Sequence, residues 1–409
     1  MKAGSGKAEI RFPEGFFPSE GFVRVFHPLH ARVLLLGDEP TVILSLEMTS
    51  LPDEEVEELC RTVEEETGAF VIWVTVTHTF SAPHFMPDQA LDEDGMRKKI
   101  LLREIVHAAV REACRDAAAS VTETEMSVAE GKSEIPVSRD IELPGGWWIG
   151  TGGAGPSDKT LTVLRLTAGD SLTALILHLN VQPSVLDHSE LSGGGKAVSS
   201  DFTGIACAEL EKAYPGCTAF FLIGAAGDQA PCEKAQGWLP DGKGGWQEKD
   251  LGDAGIEIAG RLGRKLQSEA GKILSNGKFE VLEADPSYRN ASFQAPAKKM
   301  NRNLQELRPA RSRQYIPDGV KEQTIEALDF GKLVFIGVRP EITCTTMREI
   351  QKASEAPYTR IVTLVNGGAK YMADQAAYDR GMYEAENSPF MPGAAEMLVR
   401  EAEKLLNEK

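Results

Sequence analysis

Hydrophobic residues recur along this chain in two patterns, and one of them predicts β-strands. Nearly continuous apolar runs, such as FVIWVTVT at 70–77 and TALILHL at 173–179, are typical of strands covered on both faces. The predicted strands are Arg32–Leu36, Val42–Glu47, Phe70–Thr77, Thr160–Leu166, Thr173–Leu179, Thr218–Ile223, Lys332–Ile336 and Arg360–Leu364.

The second pattern is the helical spacing of apolar residues between these strands. In Gly95–Ala119, for example, Ile100, Leu101 and Ile105 recur at the spacing of one helix face. The predicted helices are Pro52–Glu66, Gly95–Ala119, Asp201–Tyr214, Asp253–Leu274, Thr345–Ala353 and Ala394–Leu406. Strands that alternate with helices predict an α/β fold, with a mixed sheet and helices packed on its faces.

The domain organisation is predicted from the absence of a linker between the predicted strands and helices. No linker rich in proline, serine or glycine divides the sequence, so we predict one α/β domain over 1–409. Two glycine clusters, Gly145–Gly155 and Ser192–Lys196, lack the spacing of phosphate-binding loops. We predict that both are mobile loops.

Charge and composition narrow the possible partners. The formal net charge of -17 argues against nucleic acid and against an anionic membrane. The basic stretch Lys298–Arg313 is predicted to be a solvated surface, with a local site for an anionic substrate group as the alternative. No apolar run reaches the roughly 18 residues of a membrane span. The N-terminus lacks the apolar region of a signal peptide, so the expected compartment is the cytoplasm.

The six cysteines are scattered, without a CxxC pair, and we expect them to be reduced. The sequence leaves the oligomeric state open.

Polar residues follow several predicted strands, at the ends where ligands bind in open α/β sheets. In Thr77–His84, His78 and Phe80 share a face of the strand because they are two residues apart. His107 and His178 lie inside apolar patterns and are predicted to be structural. The other candidates at strand ends are His84, Gln182, Asp187, His188, Asp228, Gln229, Arg339, Glu341, Asn366 and Tyr371. Such groups at successive strand ends predict a metal-assisted or acid–base site.

Five segments in order resemble the catalytic domain of neutral/alkaline ceramidases, zinc-dependent amidases that cleave an N-acyl sphingosine. The segments are THTFSAP from Thr77, QPSVL from Gln182 with the following SSDFTG, GAAGDQAP from Gly224, RPEITCTT from Arg339, and NGGAKYMADQAAYDRGMYEAENSPFMPGA from Asn366. The resemblance extends over nearly the whole chain and implies the fold of that domain. We do not expect the immunoglobulin-like C-terminal domain of full-length ceramidases.

The resemblance also implies roles for individual residues. In that family two histidines, a glutamate and a tyrosine hold the zinc. Glu341 and Tyr371 match the glutamate and the tyrosine, and Tyr383 matches a further active-site tyrosine.

Three family residues are missing at the matching positions. Phe80 and Gln182 match the two zinc-binding histidines, and Ala230 matches the proposed serine nucleophile. Two metal ligands and the nucleophile are therefore absent together. We do not expect a ceramidase that works by the family mechanism.

Three functions remain open. In the first, a shifted site holds zinc or another divalent metal, and a metal-bound hydroxide attacks a carbonyl carbon. Its ligands would be His84, His188, Glu341 and Tyr371. In the second, no metal is needed: His78 or His84 is the general base, Asp228 or Glu341 orients it, and Arg339 binds a carboxylate.

The third function is a non-catalytic binding protein, which Phe80 favours because an apolar side chain removes a metal ligand and fills space. For either enzyme we expect a small soluble substrate with an amide, lactam or ester bond, since no amphipathic membrane helix is apparent. The predicted catalytic residues are His78, Asp228, Arg339 and Tyr383, and the predicted substrate-binding residues are Phe80, Gln182, Gln229 and Asn366.

Overall fold

The structure is a computed structural model, and it describes residues 1–283, 285–300 and 308–407. Its strands are β1 Lys2–Ile10, β2 Phe22–Val25, β3 Leu29–Leu36, β4 Thr41–Leu46, β5 Val71–Val76, β6 Thr122–Glu123, β7 Glu125–Lys132, β8 Pro136–Leu143, β9 Gly146–Gly153, β10 Thr160–Ala168, β11 Ser171–Leu179, β12 Lys196–Val198, β13 Thr218–Ile223, β14 Gln229–Pro231, β15 Gln236–Pro240, β16 Trp246–Asp250, β17 Glu280–Leu282, β18 Ser287–Lys298, β19 Pro317–Asp329, β20 Leu333–Val338, β21 Glu341–Ile342, β22 Tyr358–Thr363 and β23 Tyr371–Met372. The helices are α1 Asp53–Thr67, α2 Glu93–Ala119, α3 Asp201–Ala213, α4 Ala254–Asn276, α5 Cys344–Lys352, α6 Gln375–Arg380, α7 Tyr383–Asn387 and α8 Ala394–Asn407, with a short 3₁₀ turn at Asp88–Ala90.

Three larger sheets organise the fold, and each is mixed. Their strand orders are β5-β4-β3-β1-β6, β13-β11-β10-β7-β17 and β18-β19-β20-β22. Each sheet contains one parallel pair, namely β4–β5, β11–β13 and β20–β22. A parallel pair needs a crossover connection, and α1, α3 and α5 lie in these three connections. The predicted α/β fold with mixed pairing is confirmed.

Strand periodicity decides which core each side chain enters. In β3, Val33 and Leu35 face α1 and α2, whereas Leu34 faces a central core between the sheets. Leu164 of the second sheet and Phe335 of the third belong to the same central core. The other faces of these two sheets pack against α3 with α4 and against α5 with α8. Helices therefore cover the outer faces, and the sheets pack against one another inside.

All eight predicted strands and all six predicted helices are present, with bounds shifted by a few residues. The prediction of a mobile loop at 145–155 is wrong, because β9 spans most of it and pairs with β8. Its glycines allow close packing of strands: a Cβ on Gly153 would lie 2.1 Å from the carbonyl oxygen of Asp140.

The basic stretch differs in part from its prediction, and its residues 301–307 lie outside the described residues. Lys298 is buried rather than solvated. Its Nζ donates to the Glu386 carbonyl oxygen at 2.8 Å and lies over the Tyr315 ring. Burial lowers the pKa of Lys298 to about 8. Arg311, by contrast, forms an exposed ion pair with Glu142.

All six cysteines are described and are free, as predicted. His178 is a buried core residue, and its Nε2 donates a hydrogen bond to the Ile361 carbonyl oxygen at 2.7 Å. In the described part of the chain, no helix is long and apolar enough to cross a membrane. The cytoplasmic location and the single domain over 1–409 stay predictions.

Candidate functional site

The ends of strands from all three large sheets meet at one place. Glu341 in β21 pairs directly with Tyr371 in β23, and His78 and Gln182 reach them from the ends of β5 and β11. The His78 Nε2 atom lies 3.4 Å from Glu341 Oε2, and Gln182 Nε2 donates a hydrogen bond to the same oxygen. These four predicted residues are therefore brought together, and each side chain is buried.

Arg139 of β8 lies at the centre of this group, although the sequence did not single it out. Its Nη1 donates to Gln182 Oε1 at 2.9 Å, and its Nε donates to Glu384 Oε1 at 2.8 Å. The guanidinium carbon lies 5.0 Å from the ring centre of Tyr371 and 5.5 Å from that of Tyr383. A buried cation thus links the strand ends to α7.

The side chain of Arg139 is aimed by an irregularity in its strand. The register of β8 against β9 shifts between Ser138 and Asp140, which is where Arg139 lies. Bulges of this kind often redirect a side chain next to an active site. The local geometry therefore supports a functional position for the guanidinium.

Charges in the group stabilise one another. Burial alone would lower the pKa of His78, but the Glu341 carboxylate beside it raises that pKa above its ordinary value. The same contact, together with Arg139, holds the pKa of Glu341 below its usual range despite burial. Burial raises the pKa of Tyr371 and of Tyr383. The phenols are therefore neutral hydrogen-bond donors at neutral pH.

A cavity of about 250 Å³ opens beside Arg139, and we call it the main cavity. Phe80, Trp148 and Trp238 give it aromatic walls. Its other lining residues are Arg139, Ile149, Gly150, Gln182, Ser184, Asp187, His188, Ala230, Lys234, Gln236, Gly237, Glu248, Tyr371 and Tyr383. Within the described structure the buried hydroxyl of Ser184 has no hydrogen-bond partner, so it can bond to a ligand.

Several residues near these strand ends have a left-handed backbone. The φ angles of His78, His188, Asn366 and Lys370 are 68°, 56°, 53° and 55°. Non-glycine residues in this region cost roughly 1–2 kcal/mol each, and such strain clusters at functional sites. The strain is a second reason to place the functional site here.

The positions that match the family's zinc ligands do not fit a metal ion here. Phe80 offers no donor atom, and Glu341 already accepts a hydrogen bond from Gln182. The Arg139 guanidinium contacts Tyr371, so a fixed positive charge lies where a cation would have to bind. A divalent ion at this point would face a buried like charge.

The four residues predicted as a shifted metal site are not gathered at one point. His84 lines a different cavity, where its Nδ1 lies 2.7 Å from Glu20 Oε2. His188 lies at the mouth of the main cavity, with 78% of its side chain exposed and its Nε2 3.6 Å from Asp187 Oδ1. Only Glu341 and Tyr371 of that set are neighbours.

The other predicted site residues have partners of their own. Asp228 Oδ1 accepts from the Cys344 amide at 2.9 Å, and Gln229 Nε2 donates to the Pro156 carbonyl oxygen. Neither lines the main cavity.

Arg339 and Asn366 also lie outside the main cavity. Arg339 Nη2 donates to the carboxylate of Asp53 in α1. Asn366 Nδ2 donates to Glu326 at 3.0 Å, and its Oδ1 accepts from the Val74 amide. Both side chains therefore connect elements of the fold.

One group in the described chain could hold a metal ion by geometry, and it lies between α1 and α2. Ligand atoms of Glu55, Glu58 and His107 lie within 4.8 Å of one another. Arg103 already donates to Glu55 at 2.8 Å, and Thr62 contacts the other ring nitrogen of His107. These contacts make an ion-pair network between two helices, which agrees with the structural role predicted for His107.

Five further residues of the site are not predicted from the sequence: Arg139, Ser184, Trp148, Trp238 and Glu384. The sequence feature that points to this cavity is the double tryptophan in GGWWIG, and it lies inside the segment predicted to be a mobile loop. Arg139 has no such feature, because its contact with Glu384 spans 245 residues of sequence.

Comparison with known proteins supports the fold. No family model matches the sequence, and no curated protein matches it significantly. Solved structures that match include a neutral ceramidase from Pseudomonas aeruginosa and a ceramidase complexed with C2. Each is 14% identical, with a TM-score of 0.76 over 99% of this chain and 74% of the other chain. The chain therefore has the neutral ceramidase fold, as its five sequence segments predicted.

Proposed function

We propose that this protein is a metal-independent hydrolase of an amide, lactam or ester bond in a small soluble molecule. The observation that carries the proposal is the buried Arg139 guanidinium in the wall of the main cavity. It supplies a fixed positive charge next to two neutral phenols, those of Tyr371 and Tyr383. Such donors stabilise the oxyanion that forms when a carbonyl is attacked.

Water is the proposed nucleophile, because Ala230 has no group that could attack. His188 at the cavity mouth acts as general base, and Asp187 orients it. His188 removes a proton from water while the hydroxide oxygen bonds to the carbonyl carbon. The carbon–nitrogen or carbon–oxygen bond then breaks, and protonated His188 returns the proton to the leaving group.

The buried His78–Glu341 pair has a positioning role in this proposal. Neither residue lines the main cavity, but Glu341 accepts a hydrogen bond from Gln182. Gln182 in turn accepts from Arg139, so the pair fixes the guanidinium indirectly. Since Phe80 and the tryptophans enclose about 250 Å³, the substrate is a small molecule with an apolar part.

A chelator experiment separates this proposal from a metal-assisted one. We expect protein purified without added metal to hydrolyse at least one member of a set of short N-acyl amides, lactams and esters. Dialysis against EDTA should change kcat/KM by less than about twofold, because no step uses a metal. Activity that disappears on dialysis and returns with zinc would contradict the proposal, and metal analysis of the same sample is the control.

A matched pair of histidine substitutions tests the base. His188→Ala is expected to lower kcat by roughly 10²–10⁴-fold, the usual contribution of a general base. His84→Ala is expected to change kcat by less than about twofold, because His84 lines a different cavity. Equal losses in both variants would favour the shifted metal site instead.

A second candidate function is binding without catalysis, and Ala230 together with Phe80 favours it. In that case a compound that fits the main cavity would raise Tm and never be turned over. Product analysis by mass spectrometry after prolonged incubation with stabilising compounds distinguishes the two functions.

A further inference from the structure

One side of the main cavity is formed by the segment Gln182–His188, which runs from buried to exposed positions. Gln182 accepts a hydrogen bond from Arg139 and is buried, whereas His188 at the cavity mouth is largely exposed. Ser184 and Asp187 lie between them in the chain and also line the cavity. The segment therefore offers polar side chains to a bound molecule at successive depths.

Lys234 lies next to this segment and adds a positive charge. The Ala235 amide donates to the Val185 carbonyl oxygen at 2.8 Å, so the preceding residues, Lys234 and Ser184, lie on neighbouring stretches of backbone. Both side chains line the main cavity. The Ser184 hydroxyl is buried and has no hydrogen-bond partner in the described structure. An ammonium group and an unpaired hydroxyl are therefore available as donors in one part of the cavity.

Lys234 lacks a close counter-charge, although only 14% of its side chain is exposed. Its ammonium group has three N–H donors. Its one partner among the described residues is Asp187, at 3.5 Å, which is longer than the roughly 2.7–3.2 Å of an ordinary N–H···O bond. Lys98 and Lys99 are similarly buried, with 13% and 16% exposed, and they pair with carboxylates at 2.5 Å and 2.6 Å. Of these three lysines, Lys234 is the one whose charge is left for a ligand.

The remaining lining residues indicate what kind of anion fits. Phe80, Trp148 and Trp238 form aromatic walls, which favour a ligand with a flat apolar group. Asp187 and Glu248 also line the cavity and repel a second negative charge. A carboxylate meets both conditions, because it has a single charge and accepts hydrogen bonds from an ammonium group and a hydroxyl together.

We propose that Lys234 and Ser184 form a carboxylate-binding subsite, and that the substrate is an amide between an aromatic acyl group and an amino acid. The inference rests on the proposed hydrolase function, whose substrate class it names. Asp187 contacts both Lys234 and His188, and His188 protonates the leaving group in that function. The carboxylate on Lys234 therefore belongs to the leaving amine. Water supplies the hydroxyl group of the new aromatic acid, the carbon–nitrogen bond breaks, and the amino acid leaves with the proton from His188.

Two ligands without an amide bond test the subsite separately from hydrolysis. The first, β-benzoylpropionate, has an aromatic acyl group and a carboxylate. The second, phenacylacetone, is a neutral molecule of the same shape, with a methyl group in place of one carboxylate oxygen. Isothermal titration calorimetry with the wild type is expected to show about tenfold or more tighter binding of the carboxylate, because it gains hydrogen bonds between charged groups. Equal affinities, or no detectable binding of either ligand, would overturn the proposal.

Substitutions then assign the preference to named residues. Lys234→Met should weaken binding of β-benzoylpropionate about tenfold or more and change that of phenacylacetone less than about twofold. Lys234→Arg keeps the positive charge and should retain the preference for the carboxylate. Ser184→Ala should weaken binding of the carboxylate about threefold to tenfold, the cost of one hydrogen bond. Lys212→Met is the matched control, because Lys212 is 71% exposed and pairs with Glu209 outside the main cavity.

Hydrolysis is measured with the matching amides. The kcat/KM for benzoate release should be about tenfold or more higher for N-benzoylglycine than for its neutral glycine amide. Preferential binding of β-benzoylpropionate without benzoate release from either amide would support the subsite and contradict the hydrolase. Equal release from both amides, with equal binding of the two ketones, would support the hydrolase and overturn the subsite. The wild-type comparison needs no substitution, so it stays decisive if Lys234→Met does not fold.

Discussion

Replacement of Arg139 by methionine is expected to lower the free energy of unfolding by about 3–5 kcal/mol, the usual cost of leaving a buried charge without its partner. The side chain is 7% exposed, and its guanidinium contacts Glu384 and Gln182 at 2.7–2.9 Å. Without it, the Glu384 carboxylate has no cation beside it. Urea denaturation at neutral pH measures the change.

The same variant tests the chemistry. If enough Arg139→Met folds to be assayed, kcat should fall about 10²–10³-fold, as when an oxyanion donor is removed. Arg139→Lys keeps the positive charge but loses the guanidinium that donates to Glu384 and Gln182 at once. Its stability and its kcat should therefore lie between those of the wild type and of Arg139→Met.

Two further variants serve as controls for Arg139→Met. Arg97→Met removes a side chain that is 64% exposed and pairs with Asp94, so its stability should change by less than about 0.5 kcal/mol. The double variant Arg139→Met, Glu384→Gln removes both charges and should recover part of the lost stability. A loss below about 1 kcal/mol for Arg139→Met alone would mean that the buried ion pair is unimportant.

The second large effect is the pH dependence of stability that Asp228 imposes. Its folded pKa of about 7 lies above the ordinary value of 3.8, so the unfolded chain ionises first as pH rises. Asp228 therefore costs stability progressively between pH 4 and 7, and the cost is complete above pH 7. Three pKa units correspond to about 4 kcal/mol, an upper bound at about 1.4 kcal/mol for each unit.

Asp228→Asn should remove most of this cost. The asparagine Oδ1 can still accept from the Cys344 amide, and the side chain no longer ionises. The variant is expected to be about 2–4 kcal/mol more stable than the wild type at pH 8, and equal to it near pH 4. Chemical denaturation at four or five pH values gives the two profiles.

Asp94→Asn supplies a control of opposite sign. Hydrogen bonds from Lys98 and Arg97 lower the pKa of this exposed residue, so its contribution to stability is present above pH 4 and is lost in acid. The substitution should give a small loss at pH 8. Parallel pH profiles for Asp228→Asn and the wild type would show that Asp228 does not resist ionisation.

Most of the fold could be predicted because its strands are locally distinctive. Runs such as Thr218–Ile223 are apolar throughout, and helices such as Asp253–Leu274 have a clear apolar face. The strands that were missed are short or carry polar residues. In β8, for instance, the charged residues Arg139 and Asp140 are both buried, so the strand has no continuous apolar run.

The candidate site was predictable only where residues lie directly at strand ends. Glu341 and Gln182 were found in this way, and their contact with His78 and Tyr371 follows from neighbouring strands. Arg139 could not be found, because its role depends on a bulge and on a partner in α7. His84 was wrongly predicted for the opposite reason. It is close to Phe80 in sequence, but the two residues line different cavities.

The place of Arg139 in the wall of the main cavity depends on the register of β8 against β9, which has a consequence for how this protein can change. Neighbouring residues of a strand face opposite ways, so a shift of β8 by one residue would turn the guanidinium away from the main cavity. A single inserted or deleted residue near Ser138 would therefore remove this positive charge from the cavity wall. A point substitution changes one side chain at a time, but a change of length in β8 reorients several at once.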